Sequence, residues 1–158
     1  MTDDHESAVD DDLRRLGDIQ EIVQLKARCC RLIDTKDWAG YGELLVDDFR
    51  LTSDAGTRNS RAEVVSLLTG SLQEATTVHQ VHMPEITVAG DVATAIWAMN
   101  DYVAFPSEGS PYVIRGYGHY HEEYVRTPEG WRVKSSTLER LRVDAEGDLP
   151  ARFQRGGG

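Results

Sequence analysis

Three ionisable side chains could together carry out acid/base chemistry: His79 and Asp101 lie in mainly apolar rows of two predicted strands, and Asp34 lies in the last turn of a predicted helix. A buried charge is costly unless it is paired, hydrogen-bonded or facing a cavity. A carboxylate that orients an imidazole is a recurring arrangement for proton transfer near neutral pH. We therefore predict that the three side chains line one pocket. In this interpretation His79 moves the proton, Asp34 orients and charge-balances it, and Asp101 holds the substrate or acts as a second acid.

Each of the three residues also has a structural interpretation that the sequence leaves open. His79 is then a hydrogen-bonded histidine of the core, Asp34 caps the turn that leads into Asp37, and Asp101 pairs with Arg115 on the neighbouring strand. The last turn of a helix carries the negative end of the helix dipole, so we predict a raised pKa for Asp34.

The periodicity of the first part of the chain predicts a long helix that ends near Asp34. Apolar residues recur at spacings of three and four over residues 13–34, which is typical of an amphipathic helix. The predicted apolar stripe consists of Leu16, Ile19, Val23, Ala27 and Cys30. Cys29 and Cys30 are sequence neighbours within this helix, where a mutual disulfide would be strained, so we expect free thiols.

Capping signals predict two further helices with a short strand between them. Asp37 is the predicted N-cap of a short helix, and residues 49–52 are predicted to form a strand. Residues 53–57 contain Gly56 and are predicted to form a turn. Ser60 and Glu63 form a capping box at the start of the third helix.

Beyond Gly70 the apolar period changes from helical to alternating, which is typical of β-strands. Four long segments rich in β-branched and aromatic residues cover residues 77–88, 92–105, 111–126 and 131–143, and glycine-containing turns separate them. Helices followed by an antiparallel meander predict an α+β fold, with the helices packed on one face of a curved sheet.

Alternation along these strands assigns side chains to the two faces of the sheet. Thr77, His79, Val81 and Met83 share one face of the first long strand, and the row that contains Asp101 on the second is otherwise apolar. The third long strand directs one set of side chains to one face: Gly116, Gly118, Tyr120, Glu122 and Tyr124. Its opposite face carries Arg115, Tyr117, His119 and His121.

The row that contains His119 and His121 is relevant to two questions, namely whether the protein binds a metal ion and whether it forms an oligomer. His119 and His121 have no matching carboxylate cluster, so we predict no metal site. Arg115, Tyr117 and His119 would stand exposed on an isolated chain, which favours a homo-oligomer, either a dimer or a trimer.

The composition excludes several classes of protein. The chain has 158 residues, which fits one domain, and its net charge of −10 argues against a nucleic-acid partner, because phosphate binding usually needs a basic face. Residues 1–12 are predicted to form a disordered acidic tail, and residues 146–158 a flexible one. No stretch has the length of a membrane span or the pattern of a signal peptide, so we expect a cytoplasmic protein without a membrane partner.

Four segments of the sequence resemble the SnoaL-like branch of the nuclear-transport-factor-2-like superfamily, a group similar in fold to ketosteroid isomerase, scytalone dehydratase and bile-acid 7α-dehydratase. The segments are IDTKDW at 33–38, VHQVHMPEI at 78–86, WAMND at 97–101 and YVRTPEGW at 124–131. The resemblance implies that residues 13–145 form a cystatin-like cone, or α+β barrel. In it, three N-terminal helices pack on a strongly curved, mostly antiparallel mixed sheet, around an apolar pocket.

The resemblance also implies site residues. Asp34 and His79 correspond to the active-site aspartate and histidine of the two dehydratases, and Asp101 to a further aspartate of the bile-acid enzyme. Tyrosines of these relatives are replaced here by Cys29 in the first helix and by Ser53 after the first short strand. In scytalone dehydratase the first-helix tyrosine aligns instead with Ile33. A mechanism based on those phenols would need another hydroxyl at this site, and Tyr120 or Tyr41 is the candidate substitute.

Together these observations favour an acid/base enzyme without a cofactor, which carries out a dehydration, an isomerisation or a cyclisation. Its expected partner is a small hydrophobic molecule, polycyclic or steroid-like, with an activated C–H bond next to a carbonyl. The predicted substrate-binding side chains are Trp97, Met99, Tyr120, Cys29, Ser53 and Tyr41. The alternative is a non-catalytic binding or assembly module of the same fold, which a pocket filled by Trp97, Met99 and Tyr120 would favour.

Overall fold

The computed structural model describes residues 3–148 and residue 150, which form three helices and six strands. Two of the strands lie between the second and third helices, and the other four follow the third helix. The helices are α1 (Asp3–Asp34), α2 (Trp38–Glu43) and α3 (Arg61–Leu72). The strands are β1 (Leu45–Ser53), β2 (Gly56–Arg58), β3 (Thr76–Ala89), β4 (Val92–Phe105), β5 (Tyr112–Thr127) and β6 (Gly130–Glu146). This order confirms the predicted α+β class. No helix within the described residues is long and apolar enough to cross a membrane.

Helix α1 begins at Asp3 rather than at Leu13, so most of the segment predicted as a disordered tail is helical. Its side chains from Ser7 to Gly17 are nevertheless exposed to solvent. Extending an existing helix is much easier than nucleating one, which explains how these turns form without packing against the sheet. Residues 3–12 are therefore part of a helix, and the side chains of residues 7–12 are exposed to solvent.

The buried side of α1 differs from the predicted stripe. Leu16 is 61% exposed and Ala27 is also exposed, whereas the side chains packed into the core are Ile22, Leu25, Cys29 and Leu32. These four residues have the same helical spacing as the predicted set, but they lie on an adjacent face. Two overlapping apolar stripes are present in the sequence, and only contact with the sheet decides which of them is buried.

The caps of the other two helices confirm the predicted signals. Asp37 accepts a hydrogen bond from the backbone N–H of Gly40 at 2.9 Å. Ser60 Oγ accepts one from the N–H of Glu63 at 3.2 Å, and Glu63 Oε2 accepts one from the N–H of Asn59 at 2.9 Å. Because each cap satisfies N–H groups that have no partner inside the helix, the start of each helix is fixed locally.

The strands form one sheet in the order β2-β1-β6-β5-β4-β3. Strands β3 to β6 are the predicted antiparallel meander, and β1 pairs with β6 in parallel. Strand β2 was predicted as part of a turn, but it pairs with β1 across Gly56, whose φ of 99° suits a tight reversal. The sheet is mixed as expected; it is open, with β2 and β3 at its edges, and does not close into a barrel.

Side-chain alternation follows the prediction along β4 and β5 and fails at one place on β3. A register irregularity between His82 and Glu85, around Pro84, reverses the alternation, and Met83 is consequently 91% exposed. Proline cannot donate a hydrogen bond to the neighbouring strand, so such an irregularity is expected where proline interrupts a strand.

Strand β6 continues to Glu146, slightly beyond the predicted domain end at residue 145. The other predictions for the C-terminal segment, including that for the terminal glycines, lie mainly outside the described residues.

The core lies between the helices and the inner face of the sheet. Its largest fully buried side chains are Tyr124, Phe49, Ile22, Leu25 and Val64. Asp18 of α1 is buried with them and accepts hydrogen bonds from Arg126 at 2.8 Å and from Trp131 at 3.2 Å. These charge-assisted contacts hold α1 across the ends of β5 and β6 and thereby fix its more distant C-terminal end over β3.

Candidate active site

The end of α1 is shaped by a Schellman motif that places Asp34 in its last turn. The N–H of Asp37 donates to the carbonyl of Leu32 at 2.9 Å, and the N–H of Lys36 donates to the carbonyl of Ile33 at 3.1 Å. Lys36 adopts the left-handed conformation, with φ of 62°, at the position where glycine is usual. This conformation carries a steric cost for lysine, so its side-chain contacts contribute to holding it.

The side chain of Lys36 belongs to a chain of hydrogen bonds that ends at Asp34. Lys36 Nζ donates to Thr77 Oγ1 at 2.8 Å, and Thr77 Oγ1 donates to Asp34 Oδ1 at 2.9 Å. His79 supplies two further contacts to Asp34: its backbone N–H donates to Oδ2 at 2.9 Å, and its Nδ1 lies 2.7 Å from Oδ1. The helix end and β3 are thus joined through a single carboxylate.

These contacts reverse the predicted pKa shift of Asp34. Partial burial by itself raises the pKa, but the hydrogen bonds from the side chain and backbone of His79 outweigh it, and the pKa lies below its ordinary value of 3.8. The prediction from the helix dipole was therefore wrong, because several direct donors outweigh a partial charge. An ionised Asp34 can only accept, so Nδ1 of His79 carries the proton and Nε2 is left as the basic nitrogen of the neutral ring.

A cavity of about 320 Å³ lies between α1, α3 and the inner face of the sheet. Five of the predicted site residues line it together with His79: Cys29, Tyr41, Ser53, Asp101 and Tyr120. Asp34 is not part of the cavity wall; it lies behind His79 and faces a groove on the surface. The prediction that the three ionisable residues line one pocket holds for His79 and Asp101 and is wrong for Asp34, which contacts the histidine instead.

Trp97 and Met99 do not line this cavity, in contrast to the prediction. Both lie on the inner face of β4 and are almost fully buried, with exposed fractions of 2% and 4%. Trp97 Nε1 donates to the hydroxyl of Tyr124 at 3.0 Å, which directs the indole into the core. Alternation correctly assigned these residues to the inner face, but helix α1 covers part of that face and leaves only the rest open.

Asp101 is held in a buried ion pair whose partner is Arg140 of β6. Arg140 Nη2 donates to Asp101 Oδ2 at 2.6 Å, Nη1 donates to Oδ1 at 3.2 Å, and the N–H of Gly116 donates to Oδ1 at 2.9 Å. A Cβ atom at Gly116 would overlap the guanidinium, so the absence of a side chain there makes room for the pair. The alternative pairing with Arg115 is wrong, because Arg115 lies on the outer face with Glu146.

A second buried ion pair contributes to the wall of the same cavity. Lys26 Nζ lies 2.6 Å from Oε1 of Glu122, and the two side chains are only 6% and 4% exposed. Burial alone lowers the pKa of Lys26, but Glu122 raises it, and the net shift is upward. Sequence reasoning named Glu122 only as a member of the row that contains Tyr120 and Tyr124, and it did not consider Lys26. A carboxylate in that row is the same signal that drew attention to Asp101.

Two phenols and a thiol complete the polar part of the wall. Burial raises the pKa of Tyr120 and of Tyr41 well above that of a free phenol, so both groups remain protonated donors. Burial likewise raises the pKa of Cys29 to about 12, which keeps its thiol unreactive near neutral pH. Among residues 3–148 and 150, no three His, Cys, Asp or Glu side chains are arranged to hold a metal ion.

Comparison with known proteins assigns most of the chain to a family. The profile of a family described as "SnoaL-like domain" matches residues 14–137. A relative named "Probable cyclase FGR4", from Gibberella zeae, is 23% identical over 133 residues, which span 76% of this chain and 89% of the relative.

Two crystal structures show the same fold. An NTF2-like protein with a cystatin-like fold from Novosphingobium aromaticivorans is 27% identical, with a TM-score of 0.67 over 94% of this chain and 96% of that one. The hexachlorocyclohexane dehydrochlorinase LinA-type3 from Novosphingobium barchaimii LL02 is 16% identical, with a TM-score of 0.73 over 88% of this chain and 97% of that one. These similarities extend along nearly the whole folded part of the chain.

Proposed function

The chain belongs to the SnoaL-like domain family, and we propose that it is a cofactor-independent acid/base enzyme, a hydro-lyase or an isomerase. The observation that carries the proposal is the hydrogen bond of 2.7 Å between Asp34 and His79, with His79 on the wall of an open cavity. A pair of this kind can take a proton from carbon and return it to a neighbouring position or to a leaving group.

In this proposal His79 moves the proton through Nε2, and Asp34 is a positioning residue. No described residue forms a hydrogen bond with Nε2 of His79, which leaves that nitrogen free for a substrate. The charge of Asp34 stabilises the imidazolium that forms when His79 accepts a proton. Thr77 supports Asp34 by donating to Oδ1, the same oxygen that Nδ1 of His79 contacts.

Asp101 has a different role from the one predicted by sequence. Both of its oxygens accept hydrogen bonds from Arg140, so neither is available to act as a second acid. We assign Asp101 to positioning the Arg140 guanidinium, which borders the cavity and offers further N–H donors to a substrate oxygen. Protonation of a leaving group would then fall to Tyr120 or Tyr41.

The substrate that fits this cavity is small and largely apolar. Aliphatic and aromatic side chains from α1, α3, β1, β4 and β6 form most of the wall: Ile33, Leu45, Phe49, Leu51, Leu67, Leu68, Leu72, Val103, Val133 and Leu138. A fused-ring compound with an acidic C–H next to a carbonyl matches both this wall and the basic His79. Dehydration is the leading reaction, with isomerisation and cyclisation as the neighbouring possibilities, and the names of the similar cyclase and dehydrochlorinase are compatible with this chemistry.

Proton abstraction can be tested before the natural substrate is identified. The protein is incubated in D₂O with 1-tetralone, 2-tetralone or 4-chromanone, and loss of the C–H signal next to the carbonyl is followed by NMR. We expect exchange faster than in buffer with at least one ketone, and a return to the buffer rate with His79→Ala. Binding of a ketone without any acceleration would instead support the non-catalytic binding module.

We also propose that the outer face of the sheet joins two or three copies of this chain. Tyr117 is 40% exposed at the centre of this face. Positively and negatively charged side chains surround it and form ion pairs, including Arg115 with Glu146 and Arg142 with Asp144. A surface that carries both signs can be complementary to itself across a symmetry axis. Light scattering should give a dimer or trimer mass that Tyr117→Glu reduces to that of a monomer, and a monomeric wild-type protein contradicts this proposal.

A further inference from the structure

A charged cluster in the cavity is separate from the Asp34–His79 pair and has no part in the proton transfer. It consists of Lys26 of α1, Glu122 and Tyr120 of β5, and Tyr41 of α2. Lys26 and Glu122 are more than nine-tenths buried, so their position at the wall of an otherwise apolar space needs an explanation. Pairing with each other explains why the two charges are tolerated in the interior. It does not explain why the cavity wall also carries hydrogen-bond donors that have no acceptor in the described part of the chain.

The two members of this ion pair are unequally satisfied. Glu122 accepts from Ser136 Oγ at 2.9 Å and from the hydroxyl of Tyr124, in addition to Lys26. Lys26 has three N–H groups; one donates to Glu122, and the ammonium lies 3.8 Å from the centroid of the Tyr120 ring. No second acceptor for Lys26 is present among the described residues. The Glu122 carboxylate therefore has three donors, two of them from the sheet, whereas the Lys26 ammonium keeps N–H groups that can donate to another acceptor.

The neighbouring phenols have the same polarity. Within residues 3–148 and 150, neither the hydroxyl of Tyr41 nor that of Tyr120 has a hydrogen-bond partner, although both residues line the cavity. Both phenols keep their protons because burial raises their pKa. This part of the wall thus presents an ammonium and two hydroxyls, while its carboxylate is already occupied by three donors.

We propose that Lys26 is the specificity-determining residue of the cavity and binds an anionic oxygen of the substrate, a carboxylate or a phenolate on its ring system. The proposal rests on the proposed function, because it adds a second binding group to the same substrate. Lys26 and Asp34 are eight residues apart on α1, or roughly 12 Å along the helix axis at about 1.5 Å per residue. The anionic group therefore lies at the end of the substrate away from the carbon that His79 deprotonates. Lys26 acts as a fixed charge and not as an amine nucleophile.

The inference is tested by binding of two compounds with the same ring system. 2-Naphthoate carries the anionic oxygens, and 2-acetonaphthone is its neutral ketone counterpart; their affinities are measured by calorimetry or by ligand fluorescence near neutral pH. We expect the wild-type protein to bind 2-naphthoate at least tenfold more tightly. Lys26→Met should remove this preference, and Lys26→Arg should retain most of it.

Since Lys26→Met leaves Glu122 buried without its cation, the decisive variant is the double substitution Lys26→Met with Glu122→Gln. It removes both charges together and should fold while binding the two compounds equally well. The variant His79→Ala should keep the preference, so a failure of this inference is distinguishable from a failure of the proton-transfer mechanism. Equal affinities in the wild-type protein, a preference that survives the double substitution, or no measurable binding of 2-naphthoate would each overturn the proposal.

Discussion

Replacing His79 with alanine is expected to lower the rate of proton exchange, and of turnover once a substrate is known, by about 10²- to 10⁴-fold, the usual contribution of a positioned acid or base. The substitution removes the nitrogen that we propose contacts the substrate. Asp34→Asn should lower the rate through the same ring, because an amide cannot stabilise the imidazolium as a carboxylate does. Both rates are measured in the D₂O exchange assay, with folding checked by thermal unfolding.

His82 provides a matched control for this experiment. It lies on the same strand as His79 but on the exposed outer face, where its Nε2 is 2.7 Å from Oδ1 of Asn100. His82→Ala should therefore exchange protons at the wild-type rate. The dyad is rejected if His79→Ala and His82→Ala behave alike, or if Asp34→Asn retains full activity while its fold is intact.

Substituting Arg140 with methionine is expected to lower the free energy of unfolding by about 3–5 kcal/mol, the typical result of removing one partner of a buried ion pair. The side chain of Asp101 is only 3% exposed, and it would lose both guanidinium contacts while keeping only the N–H of Gly116. The measurement is denaturant unfolding of wild type and variant. Adding Asp101→Asn to the variant should recover part of the loss, because the unpaired charge is then removed.

Arg115 is the appropriate control for Arg140, since it is an arginine of the same sheet on the opposite face. Its side chain is 39% exposed and pairs with the more exposed Glu146. Exposed pairs typically contribute about 0–1 kcal/mol, so Arg115→Met should change stability by no more than that. A large effect at Arg115 and a small one at Arg140 would contradict the pairing of Asp101 described above.

The cavity residues show where reasoning from sequence stops. Alternation placed Asp101 in an otherwise apolar row of β4 and Glu122 in the row of β5 that contains Tyr120, but it could not name their partners. Arg140 reaches Asp101 from β6, whose pairing with β5 contains a register irregularity after Tyr117. Lys26 reaches Glu122 from a helix 96 positions earlier in the chain. Neither partner lies at a spacing that any local period relates to its carboxylate.

The sequence by itself determined those features that depend on neighbouring residues. The caps at Asp37 and Ser60, the alternation along the long strands and the helix-to-strand order all arise from interactions within a few positions. It also singled out His79 and Asp101, because an ionisable residue in an apolar row is visible in the sequence alone, and Asp34, because it lies in the last turn of a predicted helix.

Only the tertiary structure decided which apolar stripe of α1 is buried, that Trp97 and Met99 pack in the core, and that Asp34 lies behind His79 rather than in the cavity. It also decided the sign of the pKa shift at Asp34, through donors on β3. Each of these outcomes depends on contacts between elements far apart in the chain. Packing and hydrogen bonding act over a few ångströms of space, and separation along the sequence does not specify that distance.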